Sequence, residues 1–357
     1  IIRCDSTRMG VNMELIIRLA VILICFFLII KGGDLFLDSA VWFAEITKIP
    51  QVLIGATIVS VGTTLPEILV STISAGAGDY GLALTNSVGS MYCNIALVLG
   101  VILAGTVTVL HMKEFIQKMA IVILTTLLTF FFAMDGKLVL WETLVLLAVF
   151  VLYMVLNIME ARKVMKAGNS SEEVLERQRA ARQKNKALMV LTFVLGAAAI
   201  GLGAKFLVDN IEIVASQYLG VSTSVLGVSV VALGTSLPEL VTAIKSIKKG
   251  STAISFGNVM GANIINGTFL AGLCGIIGVG KEGVCDIISS DILYQLSGSL
   301  WNSTVMLGCI CLMASVVILI LPLFLRRGRT AKWQGWTLLS IYALYILYLI
   351  LKVCKVF

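Results

Sequence analysis

A duplication limits the fold of this chain more than any other feature of its sequence. Shifted against itself by 172 residues, the sequence aligns Gly55 with Gly227, Glu67 with Glu239, Asn86 with Asn258, Gly89 with Gly261 and Asn94 with Asn266, without a gap. Between positions 55 and 100, thirteen of forty-six residues are identical in the two copies, more than shared apolarity produces. With 59% of its residues hydrophobic and 13% charged, the chain has too much apolar surface for an ordinary soluble core. Ten apolar runs approach or exceed the roughly 20 residues that cross a bilayer: about 14–33, 52–76, 80–106, 115–134, 138–159, 187–208, 223–244, 252–279, 303–325 and 334–351. The fold class is therefore all-α, a polytopic membrane protein with five spans in each copy. Five is odd, so the second copy must enter the membrane from the opposite face. The result is ten transmembrane helices in two inverted-topology five-helix repeats, an architecture of secondary transporters that places the site at the repeat interface.

The basic residues orient this arrangement. Of 27 Lys and Arg, eighteen fall in the connections on one side, eight of them between Arg162 and Lys186, and seven fall on the other. Cytoplasmic connections collect such residues, so the 161–186 loop is predicted cytoplasmic and both termini outside. The organisation reads as an N-terminal tail at 1–12 outside the fold, a first repeat at 13–160, the charged loop at 161–186 carrying Glu172, Glu173 and Glu176, and a second repeat at 187–357. An insertion at about 280–300, with Asp286 and Asp291, reads as a surface loop or interfacial helix on the outer side. The net charge of +7 is accounted for by topology, and no basic soluble face remains for nucleic acid. Cys25, Cys93, Cys274, Cys309 and Cys311 lie in spans as small apolar filler, and Cys4, Cys285 and Cys354 are expected to be exposed on the outer side. Asp34 and Asp38 are expected at an interface, paired with Lys31, and Asp209 with Lys205.

The chemistry lies in two six-residue motifs, Gly62-Thr63-Thr64-Leu65-Pro66-Glu67 and Gly234-Thr235-Ser236-Leu237-Pro238-Glu239. Each glutamate sits deep in an apolar run that contains no Lys, Arg or His, and an uncompensated carboxylate there is costly. A bound cation would compensate both. The preceding prolines lack an N–H, which leaves the carbonyls of Gly62 and Gly234 without their helical donor. Non-helical backbone at membrane depth is tolerated where it lines a polar site. Asn86, Ser90 and Asn94 recur every four residues and lay a polar stripe on the following span; the second copy reads Asn258, Ala262 and Asn266. Carboxylates, hydroxyls, carbonyls and amides together make an all-oxygen set able to furnish the roughly 6 to 8 ligands that Ca²⁺ takes. With no histidine or cysteine recognised beside either motif, zinc, copper and iron are poor candidates.

These motifs, their spacing and their inverted order resemble the signature repeats of the cation/calcium exchanger superfamily, most closely its prokaryotic sodium/calcium antiporter branch, over about residues 14–357. The resemblance implies that Thr63, Glu67, Thr235 and Glu239 bind Ca²⁺. It implies that Thr64, Ser90, Asn94, Ser236 and Asn266 serve mainly Na⁺, and that Ser60 and Ala232 contribute through their backbone carbonyls. Some family members carry aspartate at the position of Asn266 and serine at that of Ala262, so this chain has one charge and one hydroxyl fewer than they do. Proton-coupled relatives carry a different sequence around the acidic residue, which favours Na⁺ here.

The resulting expectation is a secondary antiporter, not an enzyme, exchanging Ca²⁺ for Na⁺ by alternating access in a prokaryotic plasma membrane, with no cofactor beyond the transported ions. Its partners are those ions and the lipid bilayer. H⁺- or K⁺-coupled Ca²⁺ exchange is the alternative. An intramembrane protease would call for paired aspartates or HExxH, which one histidine cannot supply, and a passive channel would not need two high-charge motifs.

Overall fold

A computed structural model describes residues 3–47, 49, 51–107, 112–167, 181–214, 217, 232–287, 303–325 and 329–353. Nearly all of them are helical. We number the elements α1 (Arg3–Thr47), α2 (Gly55–Thr63), α3 (Leu65–Gly76), α4 (Tyr80–Gly105), α5 (Met112–Phe132), α6 (Leu140–Ala167), α7 (Lys186–Ile213), α8 (Ala232–Thr235), α9 (Leu237–Lys248), α10 (Thr252–Glu282), α11 (Thr304–Leu325) and α12 (Lys332–Val353). Among the described residues eight helices are long and apolar enough to cross a membrane, and α2 with α3 forms a ninth candidate, bent by 51°. The chain is an all-α polytopic membrane protein. The predicted span at 223–244 begins outside the described residues and is seen only as α8 and α9.

Burial sorts the spans into layers. Of the most apolar stretch of α4 and of α10, 72% is buried, against 11% of α1 and 18% of α7. Helices α4 and α10 are therefore the inner pair, whereas α1 and α7 pack against one another and turn Leu23, Phe27, Leu195 and Leu202 outward. Outward leucine and phenylalanine cost nothing in lipid, which is why a span can be apolar all round.

Each broken span returns through the same turn. Gly78 and Gly250, 172 residues apart, have φ of +91° and +66°, and both end a helix with one bond pattern. Gly78 N–H donates to Ala75 O at 3.1 Å and Asp79 N–H to Ser74 O at 2.9 Å; Gly250 N–H donates to Ile247 O at 3.3 Å and Ser251 N–H to Ser246 O at 2.9 Å. This is the Schellman stop, for which glycine pays no Cβ penalty. The tight reversal lays α4 back along α3, and α10 back along α9, so that polar residues of each hairpin meet in register.

Several expectations are corrected here. Helix α1 runs well beyond the predicted 14–33 and takes in most of the tail at 1–12. Lys31, Asp34 and Asp38 interrupt the hydropathy but not the helix, because the carboxylates find partners at the C-terminal end of α9: Asp34 lies 2.9 Å from Lys245, and Asp38 lies 2.6 Å from Lys249, the residue that caps α9. Lys31 is a more distant electrostatic neighbour of Asp34. Lys118, counted among the eighteen basic residues of the connections, is buried within α5 and pairs with Glu160 at 3.2 Å. Cys285, expected to be exposed, is buried, because the 285–286 segment pairs as an antiparallel strand with Lys137–Leu138 and its side chain joins the core beside Cys274. Helix α6 runs into the 161–186 connection as far as Ala167, and Asn185 Oδ1 caps α7 by accepting from Ala187 N–H at 3.0 Å. Glu172, Glu173, Glu176, Asp291, Cys354 and His111 lie outside the described residues.

Two side chains repair backbone that the sequence breaks. Pro322 inside α11 leaves the Ile318 carbonyl without its helical donor. Gln334 on α12 covers the gap, donating from Nε2 to Leu319 O at 3.0 Å and Ile318 O at 3.5 Å while its Oε1 accepts from Ala331 N–H at 2.8 Å. Tyr153 on α6 donates to Ala56 O at 2.5 Å within the π-helical turn Gly55–Val59 that opens α2.

Candidate ion-binding site

The two proline motifs fold alike. Thr64 has φ −82° and ψ −3°, and Ser236 has φ −87° and ψ 4°; each is the hinge residue between helix halves. Pro66 and Pro238 sit in the first turn of α3 and α9, where a missing N–H costs nothing. That places Glu67 and Glu239 in the first turn too, where the helix dipole favours an anion, while the carbonyl ends of α2 and α8 approach the same hinges.

Glu67 and Glu239 are both fully buried. They come from opposite halves and lie close enough to repel one another, with the Ser90 hydroxyl beside Glu67 and the Thr63 hydroxyl beside Glu239. None of their four carboxylate oxygens makes a hydrogen bond of normal geometry among the described residues, nor do the side-chain amides of Asn94 and Asn266 or the hydroxyl of Ser236, all of them buried. Buried polar atoms are almost always paired, so unpaired oxygens on both carboxylates and on the amides of Asn94 and Asn266 fit donors kept for a cation. Among the described residues no three His, Cys, Asp or Glu side chains gather around one point, so neutral oxygens must complete any coordination shell.

Thr63, Thr64, Ser60, Thr235 and Ser90 are likewise buried around these carboxylates. Thr63 Oγ1 donates to Asn258 Oδ1 at 3.0 Å, and Thr235 Oγ1 donates to Asn86 Oδ1 at 3.2 Å. These two bonds exchange under the 172-residue shift, and each crosses from one half to the other. Ser60 is placed differently from expectation: its carbonyl already accepts from Thr64 N–H at 2.9 Å and from Thr64 Oγ1 at 2.6 Å. Ala232 opens α8, and only its backbone is described.

The halves cross closely. A Cβ on Gly261 of α10 would lie 2.5 Å from Ser60 Oγ and 2.6 Å from Ala56 O of α2, and Gly55 approaches the backbone of Ile254 and Asn258 equally tightly. Only glycine allows this approach.

Sequence reasoning read Asn86 and Asn258 as part of a stripe and did not assign them to the site; their cross-half partners become visible only when the halves are together. It also set Cys93 aside as filler, although the fold brings this residue near Ser236 and Tyr342 and within electrostatic reach of both glutamates. Its position next to Asn94 was the available signal.

A polytopic helical protein whose buried centre is built from two carboxylates of two related halves has the form of a membrane transporter. The sequence profile described as sodium/calcium exchanger protein matches residues 17–159 and 188–351, and the chain belongs to that family. It is a transporter and not an enzyme. It is 30% identical over 269 residues to the inner membrane protein YrbG of Escherichia coli, covering 75% of this chain and 82% of that one. It is 36% identical to the sodium/calcium exchanger MaX1 of Methanosarcina acetivorans over 131 residues, 36% of this chain and 37% of the relative. Among solved structures, the sodium-calcium exchanger NCX_Mj soaked with Na⁺ and Sr²⁺ superposes with a TM-score of 0.70 at 25% identity, over 93% of this chain and 98% of that one.

Proposed function

We propose that this protein is a secondary antiporter that exchanges Ca²⁺ for Na⁺, with both ions competing for Glu67 and Glu239 near the membrane midplane. The observation that carries the reading is the pair itself: two fully buried carboxylates, one from each copy of the repeat, whose oxygens make no hydrogen bond of normal geometry among the described residues. In low dielectric two bare charges at close range are far more costly than in water. A divalent cation, or several Na⁺, cancels that cost, and competition for the same charges is the coupling. Thr63 and Thr235 complete the Ca²⁺ shell, while Thr64, Ser90, Asn94, Ser236 and Asn266, with the carbonyls of Ser60 and Ala232, serve Na⁺ or both ions. The saturation of the Ser60 carbonyl by Thr64 means that it joins an ion shell only after that threonine turns.

In this reading the ten helices form two inverted five-helix repeats, the termini face outward and the 161–186 loop is cytoplasmic, in a prokaryotic plasma membrane. The lipid-facing pair α1 and α7 slides over the inner helices and opens the site to one side at a time, moving only when the carboxylates are neutralised.

The test is reconstitution. Na⁺-loaded proteoliposomes diluted into Na⁺-free medium are expected to accumulate ⁴⁵Ca²⁺, and Glu67→Gln or Glu239→Gln to abolish that uptake. Either variant exchanging near the parent rate would sink the assignment. Imposing K⁺ and pH gradients in place of Na⁺ separates this coupling from its H⁺ and K⁺ alternatives.

A further inference from the structure

We propose that Asn86 and Asn258 are positioning residues that take the hydroxyl protons of Thr235 and Thr63, so that both motif threonines face the transported cation with oxygen lone pairs only. The proposal deepens the exchange reading and rests on it.

A hydroxyl carries one proton and two lone pairs on a freely turning bond. Next to a cation the proton is the wrong end, so something must hold it elsewhere. The direction of each bond around the two asparagines follows from the acceptors at the ends of the chains. Ser71 Oγ donates to the Ala83 carbonyl at 3.1 Å, and a carbonyl can only accept. With its proton spent, Ser71 Oγ accepts from Asn86 Nδ2 at 2.9 Å. That settles which end of the amide is which: Oδ1 faces Thr235 and accepts its proton at 3.2 Å. In the other half, Thr242 Oγ1 donates to the Glu239 carbonyl at 2.8 Å and accepts from Asn258 Nδ2 at 3.3 Å, which turns Asn258 Oδ1 toward the proton of Thr63 at 3.0 Å.

Each chain of bonds thus starts at a motif threonine, passes through an asparagine of the opposite half and ends in a backbone carbonyl. Its protons run toward backbone carbonyls, those of Ala83 and Glu239, and none of these bonds is made to a glutamate carboxylate. Two acceptors compete for the Thr63 proton: the Ser60 carbonyl at 3.4 Å is already taken by two donors from Thr64, and the Glu239 carboxylate beside the hydroxyl is the group that a bound cation engages. Ser90 Oγ lies 3.4 Å from Thr235 Oγ1, and with the threonine proton on Asn86 only Ser90 can be the donor there. Both asparagines are buried, so no bulk water competes for the hydroxyl proton.

The test is a double-mutant cycle on the KM for Ca²⁺ and the maximal rate of Na⁺-driven ⁴⁵Ca²⁺ uptake in proteoliposomes. Asn258→Leu and Thr63→Val are each expected to raise KM by about ten- to a hundredfold with little change in maximal rate, the signature of lost ion binding. Combined, they should be no worse than Thr63→Val alone, because the asparagine then has no hydroxyl to hold. Multiplicative effects would overturn the proposal. Thr242→Val is the gentler arm: it keeps Asn258 but removes the acceptor that fixes its orientation, so it should raise KM in the parent and leave it unchanged in Thr63→Val. A rise of equal size in both backgrounds would also refute the idea. A parent that shows no Na⁺-driven uptake would instead refute the exchange reading, which keeps the two failures apart.

Discussion

Replacing Gly261 by alanine tests whether the close crossing of the halves is what assembles the site. The added methyl would lie 2.5 Å from Ser60 Oγ and 2.6 Å from Ala56 O, about 0.9 Å short of ordinary van der Waals contact. Neither neighbour can give way cheaply. Ser60 Oγ is committed to the Thr57 carbonyl at 3.0 Å, and Ala56 O is backbone already held by Tyr153 at 2.5 Å. Helices α2 and α10 must therefore part by roughly the missing distance, and the Thr63–Asn258 bond, 3.0 Å long in the same interface, stretches past the limit of a hydrogen bond. Overpacking costs about 1–3 kcal/mol and the lost buried bond about 1 kcal/mol more, so we expect about 2–4 kcal/mol of destabilisation together with a raised KM for Ca²⁺. Unfolding of the detergent-purified protein measures the first, and vesicle uptake the second. Gly76→Ala is the control: a Cβ there meets nothing within 4 Å, and the change should be neutral or slightly stabilising. Parent-like stability and KM for Gly261→Ala would refute the reasoning. Lost stability with an unchanged KM would show that the crossing supports the fold without setting the site.

Two further outcomes are expected. Gln334→Leu leaves the Ile318 and Leu319 carbonyls buried without their donor, and unfolding measurements should show a loss of about 1–3 kcal/mol, whereas Gln334→Glu keeps the acceptor for Ala331 but not the donor and should recover only part of it. Burial pushes the Cys285 thiol up to about 12, so at pH 8 its thiolate is roughly a thousandfold scarcer than that of an ordinary cysteine; mass spectrometry after maleimide treatment should find it unmodified in the native protein and modified after denaturation, and native labelling at pH 8 would contradict its burial.

Much of the centre was legible because its signals are local. A glutamate inside an apolar run and a proline one residue before it can be read without knowing any neighbour, and the same residues 172 positions on exclude chance. The twin glycines at 78 and 250 carried the same kind of signal but were not read in the sequence; their positive φ in the structure explains why the same residue stands at both repeat positions. Charges near span ends were misread for the opposite reason. Asp34 and Asp38 interrupt the hydropathy of α1, yet the helix continues because Lys245 and Lys249 reach them from the end of another helix more than two hundred residues away. Cys285 was judged from its place in a polar loop, and its burial depends on a two-residue strand pairing with Lys137–Leu138.

The sequence by itself determined the class of the protein, the pairing of its halves and the identity of the two carboxylates, because apolar run length, repeat offset and missing counter-charges are properties of the chain read in one dimension. Only the tertiary structure decided which residues face one another: that both carboxylates are buried, that Thr63 and Thr235 each bond an asparagine of the other half, and that the Ser60 carbonyl is already occupied. The physical reason is that hydrogen bonds and charge repulsion act over a few ångströms, and helices far apart in sequence reach that range only when glycines such as Gly55 and Gly261 let them approach.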